Sequence, residues 1–202
     1  MVYAHLRSGK VVCLDDCRNP KEWAFLLTCG QDTFCRMRVV MRSDQSLFVF
    51  LPSLAKGPSS IDMWDLTKKV LLVSGIGVIG ESTGNAMSLA VATCAGNNIR
   101  LLVGYDDGTL HAFLIDLDEL IFTHHQRIKI FPMTVTCLDY NAQLNSVVLG
   151  GPNTDLVLIR NFPSLQEEES QIYRISVANE GFSEVIFSPS GKLIITGGWD
   201  GK

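Results

Sequence analysis

Proline, aromatic residues and surplus basic charge are all scarce in this chain, and so are long unbroken apolar runs. Seven prolines and 17 glycines in 202 residues exclude collagen-like and low-complexity chains, which need far more of both. Seventeen Lys and Arg against 21 Asp and Glu leave a net charge of −4, which argues against a broad electrostatic footprint for nucleic acid. The longest apolar stretch, around Val70 to Ile79, is interrupted by glycine and falls well short of the roughly 18 residues of a membrane-spanning helix. The N-terminal MVYAHLRSGK has scattered charges and no continuous apolar core. It does not read as a signal peptide, and the expected location is intracellular.

What is present is apolar residue in quantity: 47% of the chain against 19% charged, with a mean hydropathy of +0.20. A large buried fraction follows. The length suffices for one sizeable core or two small ones. The six cysteines, Cys13, Cys17, Cys29, Cys35, Cys94 and Cys137, sit in surroundings such as Val12-Cys13-Leu14 and Thr136-Cys137-Leu138. Such settings suit small buried hydrophobes in a reducing compartment.

From about residue 86 the sequence breaks into short apolar runs separated by turn signals. Ala86 to Cys94, Ile99 to Tyr105 and Thr109 to Ile115 are divided by Ala95-Gly96-Asn97-Asn98 and Asp106-Asp107-Gly108, and Asp-Gly between β-rich runs is a strong hairpin signal. The pattern recurs over Thr134 to Ile159 and begins again at Phe182. The second turns, at Gly108, Asp155 and Gly201, fall about 46 residues apart, with Pro58-Ser59-Ser60 one period upstream. Four-stranded repeats of roughly this length are what β-propeller blades produce.

Particular residues narrow the resemblance. Ile61-Asp62-Met63-Trp64-Asp65 resembles the third-strand ending of WD40 repeats, and GYDDGTLHAFLID, Gly104 to Asp116, looks like the same segment with Phe113 where Trp would stand. FSPSGKLIITGGWDG, Phe187 to Gly201, resembles the middle of a blade. Trp64, Asp65, Asp107, Gly108, Trp199 and Asp200 are the structural WD-type residues. Together with Thr33-Phe34-Cys35-Arg36 and LLVGYDDGTL, these segments are similar to the G-protein-beta-like WD40 proteins associated with the ASTRA complex. That resemblance implies a non-enzymatic scaffold, nuclear and cytoplasmic, linked to chromatin remodelling and to maturation of phosphatidylinositol-3-kinase-related kinases. Its implied partners are other proteins, ASTRA subunits or kinase-maturation chaperones, with no nucleic acid, membrane, small-molecule substrate or cofactor. The repeats here depart from the pattern in lacking Gly-His before the first strand, and Leu156 to Arg160 ends without Trp or Asp.

Lys10 to Asp16 reads as a third strand and Trp23 to Cys29 as a fourth, so the chain opens within a blade, and Asp200-Gly201-Lys202 closes it within another. The expected fold is all-β: residues 1–202 as a single partial WD40-type propeller with about four blades' worth of strands, a piece of a seven-bladed protein. A four-bladed ring closed by the two ends is the topological alternative.

Other residues suggest a dinucleotide site, a zinc site and a histidine pair, and each meets a structural objection. Val70 to Ser74 leads into Gly75-x-Gly77-x-x-Gly80, which in a dinucleotide site would need a parallel strand, a helix from the third glycine and an acid about 20 residues on. Glu81-Ser82-Thr83-Gly84-Asn85 is poor helix material, and Asn97-Asn98 stands where the acid should be, so the segment reads as an outer strand entering an inter-blade loop. The cysteine spacings lack the paired pattern of a zinc site, and only His5 is near them. His124 and His125, adjacent on a strand, point to opposite faces and cannot chelate one ion. Gln166-Glu167-Glu168-Glu169-Ser170 reads as a solvated loop between third and fourth strands, against the alternative of a dock for a basic partner. A G-protein-beta-like signalling adaptor is the other functional alternative; it predicts N-terminal heptads, and none are visible.

Overall fold

The computed structural model describes residues 2–14, 23–30, 34–42, 44–77, 84–163, 170–178 and 180–201. Among them every regular element is a strand, as expected where β-branched and aromatic residues alternate with Gly, Asn and Asp turns. The first sheet holds β1 (Val2–Leu6), β2 (Lys10–Leu14) and β3 (Trp23–Thr28). The second holds β4 (Arg38–Met41), β5 (Leu47–Pro52), β6 (Ile61–Asp65) and β7 (Val70–Ile76). The third holds β8 (Ala86–Cys94), β9 (Asn98–Tyr105), β10 (Thr109–Asp116) and β11 (Ile121–Lys129). The fourth holds β12 (Cys137–Asn141), β13 (Ser146–Gly150), β14 (Asp155–Arg160) and β15 (Gln171–Ser176). The fifth holds β16 (Phe182–Phe187) and β17 (Ile194–Gly198). Each sheet is an antiparallel meander whose spatial order follows the chain, so strands consecutive in sequence are paired neighbours.

The sheets stack face to face. Phe50, Met63 and Val73 of the second meet Leu89, Leu101 and Phe113 of the third. Leu102, Leu110 and Phe131 meet Leu138, Val147 and Val157 of the fourth, and Val148 and Leu156 meet Phe182 and Val185 of the fifth. Val11, Leu27 and Cys29 pack on Val49, Leu51 and Leu66. A middle sheet is therefore apolar on both faces, which accounts for the high hydropathy: each large side chain so buried contributes about 1.5–3 kcal/mol. The first strands β4, β8, β12 and β16 lie side by side along the inner edge, the arrangement of propeller blades about an axis.

The period of about 46 residues reappears as hydrogen bonds between neighbouring sheets. Ser88 Oγ donates to the Val135 carbonyl at 2.9 Å, Thr136 Oγ1 to the Phe182 carbonyl at 2.7 Å, and Tyr105 Oη to the Ser59 carbonyl at 3.1 Å. The backbone repeats itself too: Val135 N–H donates to Tyr105 O at 3.0 Å, and Phe182 N–H to Gly151 O at 3.1 Å.

The opening of the chain differs from expectation. Lys10–Leu14 and Trp23–Thr28 are strands as read, but Val2–Leu6 precedes them as another, paired along its whole length with β2. Gly9, with φ of 70°, donates its N–H to the Leu6 carbonyl at 2.9 Å and closes that hairpin. The signal was Ser8-Gly9, obscured by the charges of Arg7 and Lys10.

Candidate functional site at the axis

Where the inner strands converge, a cleft of about 500 Å³ opens between the second, third, fourth and fifth sheets, within the usual range for a ligand site. The segment leading into β4 supplies Phe34 and Arg36, β4 supplies Arg38, and the approach to β12 supplies Met133. Glu184 comes from β16, and Trp199 from the turn after β17. Phe34, Met133 and Trp199 are 73%, 59% and 54% exposed. Three large apolar groups thus face water around one opening, while others such as Met41, Ile121 and Leu193 are exposed elsewhere on the surface.

The walls are fixed by polar contacts. Arg38 donates from Nε to the Leu89 carbonyl at 2.8 Å and reaches Glu184 with Nη2 at 3.6 Å. Arg36 donates to the other oxygen of the same carboxylate. The second and fifth sheets are thereby joined across the axis. The Trp199 indole lies over Gly181, where an added Cβ would come within 2.8 Å of the ring, and Trp199 N–H donates to the Gly181 carbonyl at 3.0 Å. Cys137 borders the cleft, but burial pushes its thiol up to about 11, so it is a protonated, weakly nucleophilic wall at neutral pH. A second cleft, about 510 Å³, adjoins the first and shares Phe34, Arg36 and Arg38 with it. Arg7 lines this second cleft, its guanidinium 6.0 Å from the Phe34 ring centre.

The WD-type residues fall into two kinds. Trp64 and Asp65 end β6, a third strand. Asp65 is buried, and its Oδ1 accepts from the N–H groups of Thr67 and Lys68, both at 2.9 Å. Asp116, ending β10, does the same for Asp118 and Glu119 at 2.8 and 3.1 Å. Counting back from that shared aspartate puts Ile115, and not Phe113, at the position of Trp64; Phe113 corresponds to Asp62. Asp107, Gly108, Trp199 and Asp200 instead occupy turns after second strands. Asp107 Oδ1 accepts from Thr109 N–H at 2.9 Å and from its hydroxyl at 2.6 Å. Gly108, with φ of 81°, lies so close to the Phe131 and Met133 carbonyls that a Cβ would come within about 2.2 Å of both.

The glycines of the dinucleotide-like motif have a local purpose. β7 is the outermost strand of its sheet and runs antiparallel to β6, whereas a dinucleotide fold needs a parallel strand there. Register shifts along β6 and β7, with φ of 73° at Gly75, turn the Gly75 N–H onto buried Asp62 Oδ1 at 2.9 Å, beside the Ser74 hydroxyl at 3.0 Å. Gly77 follows the strand; Gly80 and Glu81 to Thr83 lie outside the described residues, as do Cys17, Asp15 and Asp16, and residues 164–169 of the acidic run.

Cys13, Cys29, Cys35 and Cys137 are buried free thiols and Cys94 is partly buried. The sulfur of Cys29 meets His5 Nε2 at 3.2 Å, and burial raises that thiol to about 11. His124 and His125 both lie on β11. His124 pairs with Phe113 and His125 falls at the register shift, leaving His124 Nε2 3.1 Å from Nδ1 of fully buried His111. Sequence reading missed this histidine pair, because it joins two strands through an irregular register. It also missed Arg36, Arg38 and Glu184, which are 148 residues apart at the extremes and meet only when the sheets converge.

No protein-family model and no curated protein sequence matches the chain. Among solved structures, a chain of a crystal structure of the mitotic checkpoint complex is similar, with a TM-score of 0.63 and 16% identity over 94% of this chain and 53% of that one. The fold is a WD40-type β-propeller, partial, with 17 strands in the described residues. This chain spans about half the length of that solved chain.

Proposed function

We propose that this chain is a non-catalytic interaction scaffold, residues 1–202 forming one unit of an incomplete propeller that engages other proteins through its axial cleft. The observation that carries this reading is the grouping of Phe34, Met133 and Trp199 at one opening, held by Arg36, Arg38 and Glu184. Exposed apolar groups ringed by charge are the usual composition of a docking patch. The resemblance of Thr33 to Arg36, Leu101 to Leu110 and Glu184 to Lys202 to ASTRA-associated WD40 proteins favours a place in an ASTRA-type assembly. Kinase maturation and chromatin remodelling would then be its context, in nucleus and cytoplasm. Affinity purification of the full-length protein tests this: ASTRA subunits or kinase-maturation chaperones are expected among the co-purifying chains. Recovery of a different stable assembly without either would overturn the specific role.

A further inference from the structure

The two adjoining clefts differ in chemistry. The first is mostly apolar, with Glu184 as its one acidic side chain among the described residues. The second has Arg7, Arg36 and Arg38 along its wall and, among the described residues, no acidic side chain. Together they place three guanidinium groups against one carboxylate, in a protein whose net charge is −4. Glu184 itself displays the recognition mode, since its single carboxylate is shared by Arg36 and Arg38. A guanidinium carries five donors. Arg36, with its side chain 69% exposed, therefore has donors to spare for a further anion after meeting Glu184.

We propose that the two clefts form one recognition site for an acidic peptide. The partner segment is extended; it sets a carboxylate side chain against Arg7 and Arg36 and, a short step along the chain, an apolar side chain between Met133 and Trp199. Phe34 stands between the two subsites and stacks under Arg7, holding the guanidinium toward the second cleft. The inference deepens the scaffold reading and rests on it. It differs in committing to the partner's charge: a basic or neutral segment would leave Arg7 and the outer donors of Arg36 without a match, and complementary charge is what distinguishes the right partner at such a site.

The test uses the 202-residue protein and three fluorescent peptides of alternating leucine with glutamate, glutamine or lysine, titrated by anisotropy. The glutamate peptide is expected to bind at least about tenfold more tightly than the other two, with an affinity that falls as salt rises. Arg7→Glu together with Arg36→Glu is expected to abolish that preference, and Lys192→Glu, a single charge reversal on an exposed turn away from the clefts, to leave it intact. Trp199→Ala is expected to weaken the glutamate and glutamine peptides alike. Arg7→Gln alone, which spares the Arg36–Glu184 pair, serves should the double variant lose its β circular dichroism. Equal binding of glutamate and glutamine peptides, or indifference to both arginine variants, overturns the inference. Purification of the scaffold's protein partners by unaltered protein would be untouched by that result, so the two readings fail separately.

Discussion

A single residue, His111, shows how completely this fold commits a polar group to one protonation state. Its ring is 0% exposed, and burial, followed by the neighbouring His124 and Arg127, lowers it to about 4 from an ordinary 6.5. The hydrogen bonds explain the preference. The Thr109 hydroxyl donates to Asp107, so its oxygen is free to accept from His111 Nε2 at 3.2 Å; His111 Nδ1 then accepts from His124 Nε2 at 3.1 Å. A proton added at His111 Nδ1 would face the N–H of His124. Because the folded value lies below the unfolded one, the neutral ring's contribution is fully present above about pH 6.5 and is lost as pH falls toward 4. The predicted loss is at most about 3 kcal/mol. Urea unfolding at several pH values, for the protein and for His111→Gln, should show the slope in that window flattened by the substitution.

At the scale of the element, crowding between sheets decides where glycine is required. Gly104 on β9 and Gly150 on β13 are 46 residues apart in sequence, and the next sheet presses on each. A Cβ on Gly104 would be 2.6 Å from Val135, and on Gly150 2.6 Å from Phe182. Gly197 holds the corresponding place on β17, where the nearest atom would be 3.4 Å away. Gly150→Ala is therefore predicted to destabilise by about 1–3 kcal/mol through overpacking. Gly197→Ala should be neutral, or stabilising by about 0.4–1 kcal/mol through the unfolded chain. Chemical denaturation of the two variants, side by side, measures the contrast. The same comparison shows what sequence can reveal. Turn positions were legible because Asp-Gly and Asn-rich turns are dictated locally, and so the blades and their period could be read in advance. The pairing of Val2 to Leu6 was hidden by flanking charge. The position matching Trp64 was misplaced by two residues, because the fixed point is the capping aspartate of Asp65 and Asp116 and not the bulky side chain. Gly75 was legible as a glycine but not in purpose, since its reason is Asp62, 13 residues away on the paired strand.

At the scale of the whole molecule the candidate site exists only because distant sheets converge, which is why no local motif announced it. Arg36 and Glu184 belong to opposite ends of the chain, and their ion pair has two competing consequences. It ties the fifth sheet to the second, but as a half-exposed pair it contributes no more than about 1 kcal/mol. It also supplies the clefts with an internal carboxylate that occupies donors an acidic partner would use. Glu184→Gln removes the charge while keeping the shape and an acceptor oxygen for Arg36. Stability is predicted to fall by less than about 1 kcal/mol, while affinity for the glutamate–leucine peptide rises several-fold and becomes more salt-sensitive, since three guanidinium groups then face the ligand with no counter-charge among the described lining residues. A merely structural role for Glu184 gives the opposite sign: loosening the fifth sheet displaces Trp199, and the affinity falls along with the stability. Denaturation and peptide titration on the same preparation distinguish the two, because only competition makes a variant that is less stable and yet binds more tightly.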